Sequence, residues 1–427
     1  MQNKTDKPVF KLINPFIPMK AATSPDDFFG RNEEIASLER GLEAGHVAIQ
    51  GGIGIGKTSL LERVRILEEG FNNSGSSTES YIILGNKDVS NLDDAAKLVL
   101  QEFVQVDNIQ TTKKLGISKI ILGEKSVTEI KSNFPEGRCL SVLKGILLKW
   151  GITNQEKRLI LAFDEADKCP RYLAQLFRNI TGYCDVNHVI NIRLMVAGVN
   201  PYFQQMVDED AGVRRFFTEI ITLKPLSDEG AEELLHKKFK IVRKKAKKEN
   251  LGLNIDFGIV EKIIHLSGCH PHLLQLLGYR IIENENSDPD GTIDNRDLVG
   301  SLRTICFEDR AVVYQSVIHL LDIEGKLEPL KQLFNVADMK CPTKISRDAA
   351  LDIVDRESIQ WYVDNNILLS EPGDFYRLED EFLRVRLMFD EDELTQDKEK
   401  RIIEDERYSD PYENPSFYDD DNQYDEV

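Results

Sequence analysis

The sequence predicts an α/β fold: a parallel sheet flanked by helices, followed by a helical lid and a C-terminal winged-helix domain. Three observations carry that expectation. Short apolar runs at residues 47–49, 81–84, 159–163, 191–198 and 219–223 alternate with stretches of helical spacing, the pattern of a parallel sheet covered on both faces. A glycine-rich segment joins the first run to a helix. Beyond residue 300 the pattern turns helical and closes on two short runs, 367–369 and 375–378, around the turn Glu371-Pro372-Gly373-Asp374. Read this way, the 427 residues divide into an N-terminal arm (1–27), an α/β domain (28–225), a helical lid (226–300), a winged-helix-like domain (301–393) and an acidic tail (394–427).

The glycine-rich segment runs Gly51-Gly52-Ile53-Gly54-Ile55-Gly56-Lys57-Thr58-Ser59, after Val47-Ala48-Ile49 and before Leu60, Leu61, Val64 and Leu67. Gly-x-x-x-x-Gly-Lys-Thr in a strand-to-helix turn is the pattern of a phosphate-binding loop. Its glycines let the backbone curl so that successive N–H groups point at phosphate oxygens, and the helix adds its positive end. Lys57 then reaches the β- and γ-phosphates, and the Thr58 hydroxyl holds Mg²⁺. ATP with Mg²⁺ is therefore expected against Gly51, Gly52, Gly54, Gly56, Lys57, Thr58 and Ser59.

Such a loop needs an acid on a neighbouring strand and a base for the attacking water. The run Arg158-Leu-Ile-Leu-Ala-Phe-Asp164-Glu165-Ala166-Asp167 supplies both. Asp164 is expected to hold the metal through water and Glu165 to activate the nucleophile, with Asp167 next in line. Asp164 to Asp167 also spells the signature of DEAD-box helicases, but neither their Ser-Ala-Thr element nor their arginine-rich closing motif follows. The run at 191–198 ends at Val199-Asn200, where Asn200 either bonds the γ-phosphate or the water, or forms a turn before Pro201.

Composition bounds the rest. Hydrophobic residues at 41% and charged residues at 30% fit a globular chain, and no apolar run approaches the roughly 18 residues of a membrane span. The first residues lack the basic and apolar blocks of a signal peptide. Six scattered cysteines without a C-x-x-C pair predict neither a zinc site nor a disulfide framework, so the expected address is cytoplasmic. The net charge of −19 is uneven: residues from Asp390 onward carry −12. Low hydrophobicity, two prolines and acids interleaved with Tyr408, Tyr412, Phe417, Tyr418 and Tyr424 make the tail a solubilising or docking segment.

In this order the motifs resemble the AAA+-related P-loop ATPases, in the branch joining the origin-initiator ATPases and the STAND signalling ATPases, from about Asn14 to Phe389. Phe28-Phe29-Gly30-Arg31-Asn32-Glu33-Glu34-Ile35 is similar to the family's box before the loop. The resemblance implies that Phe29, Gly30 and Arg31 fold against the adenine, with Asn14-Pro15-Phe16 as an arm over the base. It makes Asn200 the first sensor and Gly212 to Phe217 the arginine-finger segment, with Arg215 as the finger and Arg214 in a salt bridge. Ser267 to Gln275 resembles the place of the second-sensor arginine, yet holds none. Its Gly268-x-x-Pro271 turn is similar to the STAND branch, in which Pro271 would shape the nucleotide pocket. His270 and His272 there either touch phosphate or cap the helix. Leu378-Glu379-Asp380 stands in register with the Met-His-Asp motif of that branch, where the glutamate would repel phosphate.

Partners follow from charge. The helix read over Arg347 to Asp364 has a net charge of −3, which phosphates repel, so this module is expected to pack or to bind protein. Lys237 to Lys248 argues the other way, with eight Lys or Arg in twelve residues. The resemblance implies an ATPase, slow or partner-stimulated, that oligomerises when ATP-bound and acts as a switch on self-assembly or on an effector protein, a type often found in antiphage defence. The alternative is a DNA-associated initiator or transposition regulator. No membrane partner is expected. The segment 111–132 reads as an insertion without chemistry of its own.

Overall fold

A computed structural model describes residues 11–22, 27–63, 78–85, 88–109, 137–199, 202–256, 258–336, 344–371 and 373–388. Asn200, the 111–132 insertion and the acidic tail lie outside the described residues. Two compact units emerge. One comprises Ile17–Lys237 with Cys269–Gln275; the other comprises Met1–Phe16, Lys238–Gly268 and Leu276–Val427. Three of the four divisions, after Lys237, Gly268 and Gln275, fall within the expected lid, so residues 226–300 are shared between the units; the fourth, after Phe16, falls within the expected arm.

The first unit contains α1 (Asn32–Ala44), β1 (His46–Gln50), α2 over residues 57–63, β2 (Thr78–Leu84), α3 (Leu92–Ile109) and α4 (Cys139–Thr153). It continues through β3 (Arg158–Asp164), α5 (Pro170–Val186), β4 (Ile192–Gly198), α6 (Tyr202–Glu209) and β5 (Phe217–Thr222). All five expected strands form, and they pair in parallel in the order β2-β3-β4-β1-β5. Strands buried on both faces read as continuous apolar runs, and their alternate residues go to opposite sides. Val47, Ile49, Ile160, Ala162, Met195 and Ala197 pack with Leu38 and Leu42 of α1 and Leu60 and Leu61 of α2. Ala48, Leu159, Leu161, Phe163, Leu194 and Val196 pack with α3, α4 and α5 on the other face, where the Phe163 ring meets Phe177 edge-on at 5.0 Å. The sheet corrects one expectation: β4 lies between β1 and β3, so Asp164 meets the loop from two strands away.

α7 (Asp228–Lys248) begins in the first unit and passes into the second at Lys238. Next come β6 (Asn254–Ile255), α8 (Ile259–Ser267), α9 (Pro271–Ser287), β7 (Thr292–Ile293), α10 (Asn295–Thr304), α11 (Ala311–Ile323) and α12 (Leu327–Val336). The chain then forms β8 (Lys344–Ser346), α13 (Arg347–Ile353), α14 (Arg356–Asp364), β9 (Leu368–Glu371), β10 (Phe375–Leu378) and α15 (Glu381–Met388). The expected hairpin is β9 with β10, and β10 pairs antiparallel with β8 as well. The single helix expected over Arg347 to Asp364 is two. Val354 is extended, and Asp355 caps α14 by accepting the Ser358 N–H at 2.8 Å. α11 buries Tyr314 and Leu321 yet exposes Val312, Val313 and Ile323.

In this unit Asn14-Pro15-Phe16, expected as an arm over the base, is tied to α9, and Phe16 is buried. Asn14 Nδ2 donates to the Tyr279 carbonyl at 2.9 Å and to Glu283 Oε1 at 3.0 Å. Phe16 is 2% exposed, lies edge-on to Phe239, and fills the space a Cβ at Gly278 would need. In Leu378-Glu379-Asp380, Asp380 pairs with Arg310 at 2.7 Å, accepts the Tyr314 hydroxyl at 3.1 Å and caps the Phe382 N–H at 3.0 Å. Its acceptors serve the packing of α11 and α15. Among the described residues no helix is long and apolar enough to cross a membrane.

Candidate functional site

The strand β1 ends at Gln50, and residues 51–56 curl into α2 with Gly54 at φ +75° and Gly56 at φ +103°. A side chain at either position would be strained. Donors from four sources engage the loop's carbonyls. Lys57 Nζ donates to Gly51 O at 3.1 Å and Gly52 O at 2.6 Å, His270 Nε2 to Ile53 O at 3.1 Å, and Arg31 Nη2 to Ile55 O at 3.2 Å. The Leu60 N–H bonds Gly56 O at 3.0 Å in the first turn of α2. With those carbonyls tied back, the loop presents its N–H groups, which is the polarity an anion requires.

The acidic side lies at the end of β3. Asp164 is 4% exposed, and its Oδ2 accepts the Thr58 hydroxyl at 2.6 Å while Oδ1 accepts the Glu165 N–H at 2.9 Å. Thr58 and Asp164, the two expected metal ligands, are thus in contact. Glu165 is exposed, has φ +53°, and forms an ion pair with Lys168. The hydrogen bond to Glu165 holds the Lys168 ammonium above the ordinary lysine range. A left-handed non-glycine residue of this kind costs on the order of 1–3 kcal/mol and recurs at functional sites. Asp167 Oδ1 accepts the Val199 N–H at 2.9 Å, fastening the end of β4 to the turn after β3. Asn200, the expected sensor, is the next residue and is not among those described.

Several residues were not singled out for the roles they hold here. Gly85 donates its N–H to Asp164 O at 2.8 Å, and a Cβ there would lie 2.2 Å from Glu165 O. Only its position at the end of β2 signals this. Arg31, expected against the adenine, is 8% exposed and directs its guanidinium to Ile55 O, to Lys224 O at 2.6 Å and to Glu34 at 2.7 Å. It braces the loop. Gly30 lets the chain approach Gly230 closely, and Phe29 is buried with the Lys237 ammonium 5.4 Å from its ring. The Ser59 hydroxyl accepts the Ala22 N–H at 3.0 Å, which ties the 17–22 segment to the first turn of α2.

Pro271 is the first residue of α9, where its missing N–H costs nothing. Gly268 and Cys269 before it are both left-handed, which turns the chain sharply into the helix. The Cys269 carbonyl accepts the Leu226 N–H at 3.0 Å, and its thiol bonds Asp228 at 3.2 Å. His272 Nδ1 donates to Pro18 O at 3.0 Å.

Arg214 and Arg215 both lie in the short 3₁₀ turn Val213–Phe216 and are exposed. The salt bridge expected of Arg214 is absent among the described residues. Arg178 forms it with Asp210 at 2.6 Å. The Arg178 hydrogen bond, helped by the Gly212 N–H and by the charge of Arg215, holds Asp210 below the usual carboxylate range. Neither Arg214 nor Arg215 forms a salt bridge among the described residues, and both are exposed.

The donor set fits Mg²⁺-ATP. Among the described residues no group of three or more His, Cys, Asp or Glu forms a metal cage. A magnesium ion carried by a triphosphate needs none, because phosphates and waters complete its shell around one or two protein oxygens.

No protein-family model matches the chain. No curated protein matches it either. Solved structures do. A Walker-type ATPase of Pyrococcus abyssi, PABY2304, superposes with a TM-score of 0.56 at 15% identity, covering 87% of this chain and 99% of that one. The ORC2 protein of Aeropyrum pernix, solved as ADPNP-ADP complexes, gives 0.50 at 13% identity over 91% and 99%. The likeness is one of fold: an α/β P-loop ATPase fold built on a five-stranded parallel sheet.

Proposed function

We propose that the chain is an ATP-binding, ATP-hydrolysing switch whose nucleotide state controls self-assembly or a protein effector. The observation that carries this reading is the contact of Thr58 with Asp164 at 2.6 Å beside Lys57 and Glu165, all at the carboxyl ends of parallel strands. The loop N–H groups and Lys57 bind the triphosphate. Thr58 and Asp164 would hold Mg²⁺, which neutralises charge on the phosphates when bound. Glu165 orients and deprotonates the attacking water once released from Lys168. Asn200, the residue after Val199 in the sequence, is read as the sensor of the γ-phosphate. In the second unit, β8–β10 with α13 and α14 are read as a winged-helix module that the switch moves or exposes. The antiphage setting rests on resemblance alone.

The site lacks a cation from the far side of the γ-phosphate, since Ser267 to Gln275 contains no arginine. A neighbouring copy would supply it from the 214–215 pair, a contribution of roughly 10³–10⁵ in rate. Specific activity is expected to rise with protein concentration. Arg215→Ala is expected to bind ATP normally and stay slow at every concentration, with Arg214→Ala less affected. Activity independent of concentration, with both variants as fast as the native chain, would mean that the site is complete within one copy.

One observation favours the DNA-associated reading. Lys240, Lys244, Lys245, Lys247 and Lys248 are exposed along α7, and none pairs with a carboxylate among the described residues. Titration of duplex DNA with salt, with and without ATP, separates the readings. The switch reading expects weak binding that ATP leaves unchanged; a tight complex whose affinity falls steeply with salt supports the initiator-like one. Deleting residues 394–427 should strengthen low-salt binding if the acidic tail competes for this face. That difference should fade above physiological salt, as the Debye length drops below roughly 8 Å.

A further inference from the structure

The two histidines of Gly268-Cys269-His270-Pro271-His272 lie against the tip of the phosphate loop. A Cβ built on Gly54 would meet His272 Cβ at 2.8 Å and His270 Cε1 at 3.1 Å. His270 is 5% exposed, and its Nε2 lies 3.1 Å from Ile53 O. A carbonyl oxygen can only accept, so Nε2 carries the proton and gives it to the loop. That proton is directed at the loop and is thereby committed before any phosphate is met. Neither alternative read from the sequence, a phosphate contact or a helix cap, describes it.

We infer that His270 is a positioning residue of the phosphate loop: it fixes the Ile53 carbonyl outward and so sets the affinity for nucleotide. The inference rests on the reading of Gly51 to Thr58 as that loop. Carbonyl dipoles turned toward a triphosphate repel it, whereas N–H groups attract it, so what holds the peptide at Ile53–Gly54 decides the sign of the local field. Lys57 cannot do this permanently. It now bonds Gly51 O and Gly52 O, and it must leave them to reach phosphate. Arg31 at Ile55 O and His270 at Ile53 O make no such exchange, so they keep the loop curled while Lys57 moves. A pre-organised loop binds more tightly because less ordering remains to be done on binding.

His270 also connects the loop to the chain around it. It belongs to Cys269–Gln275, the turn and first residues of α9 that group with the α/β unit. The same helical turn holds the strap 17–22: His272 bonds Pro18 O, Gln275 Oε1 accepts the Ile17 N–H at 3.1 Å, and Ala22 returns to Ser59. The start of α9, the strap and the loop thus form one hydrogen-bonded ring around Gly54.

The test compares His270→Leu, His270→Gln and His270→Asn in the full chain, by titration with a fluorescent ATP analogue and by steady-state hydrolysis. Leucine removes the donor and leaves a shielded carbonyl unsatisfied, so Kd and KM are expected to rise about tenfold with kcat within about twofold. Glutamine can bring its amide N–H to the position of Nε2 and should return Kd to within about threefold of the native value. Asparagine is one carbon shorter and should behave like leucine. If the leucine variant does not fold, the glutamine and asparagine pair carries the comparison. Equal affinities for all three variants and the native chain would overturn the inference, as would a fall in kcat with KM unchanged, which would place the imidazole on the transferred phosphate. Lys57→Ala as a parallel control keeps the two readings apart. If it binds ATP normally, the loop reading itself fails; if it loses ATP while the His270 variants keep it, only the role of His270 fails.

Discussion

Lys57→Ala is expected to abolish ATP binding, raising Kd by at least about 10²-fold. The ammonium no longer reaches the β- and γ-phosphates, and charge-assisted hydrogen bonds of this kind contribute about 1.5–3 kcal/mol each. The bonds that Lys57 now makes to Gly51 O and Gly52 O add nothing to this loss, because the native side chain gives them up when it turns to phosphate. Equilibrium titration with a fluorescent ATP analogue measures the change. An affinity within a few-fold of the native chain would remove the basis for reading Gly51 to Thr58 as the phosphate site.

Glu165→Gln is expected to keep ATP and Mg²⁺ bound while slowing hydrolysis by about 10²–10⁴-fold, the usual contribution of a positioned general base. The carboxamide has nearly the same shape but cannot take the proton of the attacking water. It also cannot form the charged pair with Lys168, so tight binding in this variant would show that the pair is not needed for nucleotide retention. Asp164→Asn provides the contrast, because it weakens the oxygen that accepts the Thr58 hydroxyl and would hold the metal. Single-turnover hydrolysis at saturating ATP is the measurement. A normal rate for Glu165→Gln would transfer the base to another group. Asp167 is the next acid along, although its Oδ1 is already occupied by the Val199 N–H.

Much of the α/β unit was legible in the chain because its signals are local. A glycine-rich turn after an apolar run, or an apolar run ending in two acids, is dictated by the backbone geometry and burial of a few consecutive residues. All five strands form where the apolar runs stand, and the loop, Asp164 and Glu165 lie at their ends. Shorter or mixed segments were less legible. β8 has three residues and no apolar run, and the break between α13 and α14 rests on one capping residue, Asp355. Propensity over so few residues is too weak to announce either element.

By itself, then, the sequence determined which residues can make phosphate-binding chemistry and in what order they appear: Gly51 to Ser59, then Asp164 and Glu165. Only the tertiary structure decided what each was joined to. It placed β4 between β1 and β3, directed Arg31 to Ile55 O, and brought His270 to a loop more than two hundred residues earlier. The physical reason is common to these cases. A motif records the local conformation a few residues must adopt, whereas a hydrogen-bond partner for a buried carbonyl is chosen by whichever distant donor the packed sheet and helices bring within about 3 Å of it.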